Sequence, residues 1–132
     1  MKPAVFLDRD GVINIDKGYV NKISEFEWIE GSKNAIKYIK DQGYYIFVVT
    51  NQSGIARGYY TDEDVVNLHK YINNELGKIN TLIDEFFYSP YHPDYPNKFQ
   101  DTFDKKSRIN ASFVLDQKLI SLGGCAGNIA YG

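Results

Sequence analysis

The sequence predicts an α/β fold, a three-layer sandwich around a mainly parallel sheet. Three observations predict it. The run Ala4-Val5-Phe6-Leu7-Asp8 is apolar and ends in an acid, as a short buried strand would. The run Tyr44 to Val49 is apolar almost without a break, the pattern of a strand covered on both faces by helices. Helical spacing follows each strand, so strand and helix alternate along the chain. That order implies right-handed crossovers between parallel strands.

Length and charge bound the rest. With 132 residues, one domain spanning 1–132 is expected, large enough for a real core. The net charge of −2 supplies no electrostatic reason to expect a nucleic acid or an anionic membrane as partner. No stretch is long enough to span a bilayer, and the first apolar run is too short for a signal peptide core. The single cysteine, Cys125, cannot pair within the chain, which fits a reducing cytosol. The expectation is a cytoplasmic monomer that takes a small molecule.

The first strand, Pro3 to Asp8, runs into Asp8-Arg9-Asp10-Gly11. If the strand ends at Asp8, the turn holds both acids on one rim, and Gly11 lets the chain curl. Open α/β sheets place ligands at such carboxyl ends. Two close carboxylates repel unless a cation or a shared proton relieves them, and Mg²⁺ is a hard cation that takes oxygen ligands. Against this, most Asp-x-Asp pairs are only turn residues. An EF-hand is excluded: counted from Asp8, its fifth, sixth and twelfth places fall on Val12, Ile13 and Tyr19.

The connection from Asn14 to Gly31 contains Asp16-Lys17-Gly18-Tyr19. It reads equally as a functional loop leaving a strand or as a connector turning at Gly18. Ser32 is a candidate N-cap for a helix to about Gln42, with Ala35, Ile36 and Ile39 toward the sheet and Gly43 as the stop. The second strand ends in Thr50-Asn51-Gln52-Ser53-Gly54. A parallel neighbour brings Thr50 to the edge that carries Asp8, where a hydroxyl, an amide and loop N–H groups can bind phosphate oxygens. By itself the segment is a polar turn.

Thr61 to Asp64 has the form of a capping box. Val65, Leu68, Ile72, Leu76 and Ile79 recur at spacings of three and four, one amphipathic helix face. His69 lies beside that face and reads as a structural histidine. Asp84 to Ser89 reads as a third strand. Pro90, Pro93 and Pro96 then force an irregular loop, and His92 within it has no second His or nearby Cys to make a metal site. Ser112 to Leu115 is a weaker candidate for a last strand.

Leu7-Asp8-Arg9-Asp10-Gly11-Val12-Ile13-Asn14, followed by Thr50-Asn51-Gln52-Ser53-Gly54-Ile55-Ala56-Arg57-Gly58, resembles the haloacid dehalogenase superfamily of phosphatases. The resemblance is closest to the D-glycero-D-manno-heptose 1,7-bisphosphate 7-phosphatase group, with the histidinol-phosphatase group as near relative. It is strong from about Pro3 to Pro93 and weak afterwards. It implies a Rossmann-like fold without a large cap domain. It also implies a phosphomonoester hydrolase that removes the 7-phosphate of the heptose bisphosphate through an aspartyl-phosphate. Asp8 would attack phosphorus. Asp10 would protonate the leaving oxygen and then activate water. Mg²⁺ would be held by the Asp8 carboxylate and the Asp10 backbone carbonyl. Thr50 and Asn51 would bind the transferring phosphoryl group. Asp16, Lys17, Gly18, Tyr19, Gln52 and Ser53 would line the substrate site, with Arg57 a candidate hold on an anionic group.

Departures accompany the resemblance. The places of the family's zinc ligands fall on Ser89, Tyr91, Asp104 and Lys106, so no zinc is expected. The lysine that stabilises the phosphoryl intermediate falls near Arg108, with Lys105 and Lys106 close by. Arg keeps the charge without the same geometry. Gln117 stands where the third metal-binding acid belongs, and Asp116 could replace it only through a one-residue slip. A helix before this strand is missing, so the carboxyl-terminal part is expected to be shortened, with impaired metal binding. These departures keep open a histidinol-phosphate phosphatase, and a non-catalytic relative that binds a phosphorylated ligand or a partner.

Overall fold

The computed structural model describes residues 2–92, 94 and 95. Three parallel strands form one sheet in the order β1-β2-β3: β1 is Ala4–Leu7, β2 is Tyr45–Asn51 and β3 is Glu85–Ser89. In register, Leu7 lies opposite Val48, and Thr50 and Asn51 lie opposite Tyr88 and Ser89. The mainly parallel open sheet expected from the apolar runs is therefore present. β1 and β3 are shorter than expected, with Pro3, Asp8 and Asp84 just outside the ladders, whereas β2 leaves out Tyr44 and runs on past Val49 to Asn51. Asp84 still works at the sheet edge. Its carboxylate accepts the Ile46 N–H at 2.7 Å and the Lys40 ammonium at 2.9 Å.

Two helices connect the strands. The first, α1 at Ser32–Asp41, follows a 3₁₀ turn at Ile23–Glu25. Its N-cap is Gly31 in the left-handed region, not Ser32. Ser32 is the first helical residue, and its hydroxyl donates to the Ile13 carbonyl at 3.1 Å, tying the helix start to the loop after β1. Gly43 ends the helix as expected. Its N–H donates to the Lys40 carbonyl and the Tyr44 N–H to that of Ile39, the paired bonds of a Schellman turn, with Gly43 at φ +90°. Ile36 is buried and Ile39 packs against the core, but Ala35 is exposed rather than sheet-facing.

The second helix, α2 at Asp62–Gly77, starts with the expected capping box. Thr61 Oγ1 accepts the Asp64 N–H, and Asp64 accepts the Thr61 N–H. Val65, Leu68, Ile72 and Leu76 are buried along one face, while Ile79 lies beyond the helix end.

Ile36 of α1 and Ile72 and Leu76 of α2 join one core cluster with Ile46 and Val48, so both helices pack on the same face of the sheet. The described residues thus supply the sheet and one helical layer. The other face carries an aromatic row in which Phe47 meets Phe6, Tyr45 and Phe87 with ring centroids 5.4 to 6.2 Å apart. Ile46, Phe47 and Val48 are all buried, as a strand covered on both faces requires. The expected strand at Ser112 to Leu115 lies outside the described residues.

Candidate active site

The site begins where β1 ends. Asp8 is the first residue past the strand, and the Arg9 N–H donates to its Oδ1 at 2.7 Å. Its other carboxylate oxygen has no hydrogen-bond partner among the described residues. The chain then turns sharply. The Arg9 carbonyl accepts the N–H groups of Val12, Ile13 and Asn14, and Gly11 sits at φ +85°. A side chain at Gly11 would be strained by that backbone angle. The turn carries Asp10, whose carboxylate faces the Gln52 amide just past the end of β2.

Asp10 is held by four contacts from three side chains. Arg9 Nη2 reaches Oδ1 at 2.9 Å and Oδ2 at 3.1 Å. Asn14 Nδ2 donates to Oδ1 at 3.0 Å, and Gln52 Nε2 donates to Oδ2 at 3.1 Å. The same Gln52 amide nitrogen donates to Thr50 Oγ1 at 2.9 Å. One side chain therefore joins the acid at the end of β1 to the hydroxyl at the end of β2. Thr50 and Gln52 are both buried, and the Tyr60 hydroxyl donates to Gln52 Oε1 at 2.6 Å.

Arg9 organises the wall behind the acids. Its side chain is fully buried, and besides Asp10 it meets the Val20 carbonyl at 2.8 Å and His69 Nε2 at 3.3 Å. Burial, with the Arg9 charge beside it, lowers the His69 pKa to about 3, and Asp10 opposes this weakly. A neutral ring can accept the guanidinium N–H at Nε2. The ring also stacks on Phe86 at 4.3 Å. His69 is thus the packed histidine expected from the helix face, with a support role the sequence did not show. Arg9, Asn14 and Tyr60 were missed as supports. Arg9 and Asn14 lie inside the matched motif, whereas no local signal marks Tyr60.

The loop of Asp16 to Tyr19 is tied to this wall through Val20. Asp16 accepts the Gly18 N–H at 3.0 Å, and Lys17 pairs with Glu27 at 2.8 Å. Tyr19 is exposed and meets the Tyr59 ring edge-on at 4.9 Å, with the Arg57 guanidinium 5.7 Å away. Arg57 also contacts the Tyr95 hydroxyl and His92 Nε2 at 3.0 and 3.2 Å. Asn51 is exposed at the end of β2, and Ser53 is half-buried in the turn that follows. Arg108 and Asp116 lie outside the described residues, as do Asp104, Lys105, Lys106 and Gln117. Ser89 and Tyr91 are described, and the Ser89 carbonyl accepts the Gln52 N–H at 2.8 Å.

No group of three or more His, Cys, Asp or Glu side chains able to hold a metal occurs among the described residues. Two groups do suit a hard cation: the Asp8 carboxylate, whose Oδ1 keeps a lone pair beside the single N–H it accepts, and the Asp10 carbonyl, which accepts no backbone hydrogen bond among the described residues. The Asp10 carboxylate is instead committed to its donors.

No family model matches the chain. A Haemophilus ducreyi protein named D-glycero-beta-D-manno-heptose-1,7-bisphosphate 7-phosphatase is 42% identical over 104 residues, 78% of this chain and 57% of that protein. The same name is carried by a Photorhabdus laumondii protein, 47% identical over 92 residues, 70% of this chain and 49% of its own length. The chain spans about half the length of the curated relatives it matches. Among solved structures, a D,D-heptose 1,7-bisphosphate phosphatase from B. bronchiseptica complexed with magnesium and phosphate aligns with a TM-score of 0.67 at 27% identity. It covers 80% of this chain and 64% of that one. Sequence and fold together relate this chain, over the residues it shares with them, to the haloacid dehalogenase-like phosphatases, and among these to the heptose bisphosphate phosphatase group.

Proposed function

We propose that the chain carries the nucleophile, the acid–base residue and part of the phosphate cradle of a phosphomonoester hydrolase. Its substrate is a small sugar phosphate, the 7-phosphate of D-glycero-D-manno-heptose 1,7-bisphosphate. The observation that carries this reading is the Gln52 amide, which bonds Asp10 and Thr50 together at 3.1 and 2.9 Å. It brings the carboxyl ends of β1 and β2 into one mouth, where open α/β sheets bind ligands.

Each residue then has a task. Asp8 offers its unpartnered oxygen to phosphorus, while the Arg9 N–H fixes the other. Asp10 gives a proton to the leaving sugar oxygen and later takes one from water. As it stands, both of its oxygens accept hydrogen bonds, so proton donation requires one of those donors to withdraw. Thr50 and Asn51 hold the phosphoryl oxygens, and Asp16 to Tyr19 with Ser53 face the sugar. Lys17 has to leave Glu27 to reach it. Mg²⁺, when bound, supplies charge neutralisation between the carboxylate and the phosphate. The Asp8 carboxylate and the Asp10 carbonyl would hold it, with Asp116 as the third acid. Arg108 takes the place of the phosphate-stabilising cation. The magnesium and phosphate bound by the B. bronchiseptica protein support this assignment.

Phosphate release with Mg²⁺ from the heptose bisphosphate tests the reading. Asp8→Asn is expected to lower the rate by about a thousandfold or more, as removal of a covalent nucleophile does. Equal rates in Asp8→Asn and wild type, or no release from any phosphomonoester, remove the enzyme reading. Preference for histidinol phosphate reassigns the substrate.

A further inference from the structure

Tyr60 holds a buried hydroxyl that touches neither acid, yet it makes the shortest side-chain hydrogen bond around the site, 2.6 Å to Gln52 Oε1. Burial pushes its pKa up, so it remains a protonated donor. With Oε1 occupied by that donor, the Gln52 nitrogen faces Asp10 and Thr50. A threonine hydroxyl has one hydrogen to give. Because Thr50 Oγ1 accepts from Gln52, that hydrogen is left over, and it has no acceptor among the described residues. An anion needs a donor there. We propose that Tyr60, acting through Gln52, is a positioning residue that makes Thr50 a hydrogen-bond donor to the phosphoryl group.

The reverse orientation of the amide shows why this matters. It would set Oε1 against the Asp10 carboxylate and draw the Thr50 hydrogen inward, away from the mouth. The Asp10 charge opposes that orientation, and the Tyr60 hydroxyl satisfies the oxygen that the favoured one leaves in a buried place. The turn is built to admit the ring: a Cβ on Gly54 would run into Tyr60. The inference rests on the phosphatase reading for the identity of the group that Thr50 meets.

The experiment is a double-mutant cycle on the full chain, read by calorimetric binding of inorganic phosphate in the presence of Mg²⁺. Tyr60→Phe removes only the hydroxyl and is expected to weaken phosphate binding by about five- to tenfold, part of the worth of a Thr50 hydrogen bond to a charged group. In a Thr50→Val background the same change is expected to cost less than about twofold, because the group it acts through is gone. An unchanged affinity, an equal loss in both backgrounds, or a wild type that binds no phosphate overturns the proposal. If circular dichroism shows that Tyr60→Phe has not folded, Gln52→Met takes its place, with the same results counting for and against. Turnover of the heptose bisphosphate is measured alongside. Coupled phosphate binding without turnover counts against the phosphatase reading alone, and turnover without coupling counts against the role of Tyr60 alone.

Discussion

Arg9 shows how one residue between two acids can shape a site. A buried guanidinium without partners is very costly, so its surroundings must supply acceptors. Asp10, the Val20 carbonyl and His69 supply them, and in doing so they lock the acid, the loop and α2 to one another. His69 can accept from Arg9 only while neutral, which sets a pH dependence. Its folded pKa of about 3 lies below the ordinary 6.5. As pH falls, the unfolded chain binds the proton first. The contribution of His69 is therefore complete above about 6.5 and is lost progressively as pH falls toward 3. Urea unfolding should show wild type losing roughly 1–2 kcal/mol more than His69→Gln between about pH 7 and pH 5. Gln retains an acceptor for Arg9 and does not titrate. Parallel losses in the two proteins contradict this account.

Among the elements, β2 and α2 do most to position the site. β2 is the middle strand, buried along 46–48, and its end delivers Thr50 to the mouth. Helix α2 is capped by Thr61, directly after Tyr60, so its cap fixes where Tyr60 leaves the loop. Asp62, Glu63 and Asp64 in its first turn suit the positive end of the helix dipole. Thr61→Ala removes the side-chain acceptor for the Asp64 N–H and is expected to cost about 1 kcal/mol of stability, measured by chemical denaturation. Asp62 also accepts the Tyr88 hydroxyl at 2.7 Å. Burial first, and then that bond, push the Tyr88 pKa up to about 12.

For the whole molecule, the sheet and one helical layer suffice to bring the Asp10 carboxylate and Thr50 together at the carboxyl ends of β1 and β2. Binding there should stabilise the fold by mass action. Inorganic phosphate with Mg²⁺, at about a hundred times its dissociation constant, adds roughly 2.7 kcal/mol, enough to raise the melting temperature by several degrees. The rise should vanish when Mg²⁺ is chelated and should be much smaller in Thr50→Val. Differential scanning fluorimetry measures both, and an equal rise without Mg²⁺ argues against a shared cation and phosphate site.

The sequence by itself determined the alternation of strands and helices, the cap at Thr61, the stop at Gly43 and the acids at the end of β1. These are local matters, governed by periodicity, backbone angles and bonds between near neighbours. Local reading misplaced the α1 cap because the Ser32 hydroxyl finds a partner 19 residues away, at Ile13. The family resemblance placed Gln52 among the substrate-lining residues, and the structure spends both ends of its amide inside the protein. Only the tertiary structure joined Arg9 to His69 and Tyr60 to Gln52, and set both helices on one face of the sheet. Such contacts follow from the packing of elements far apart in the chain, where hydrogen-bond partners are chosen by space and burial rather than by sequence distance.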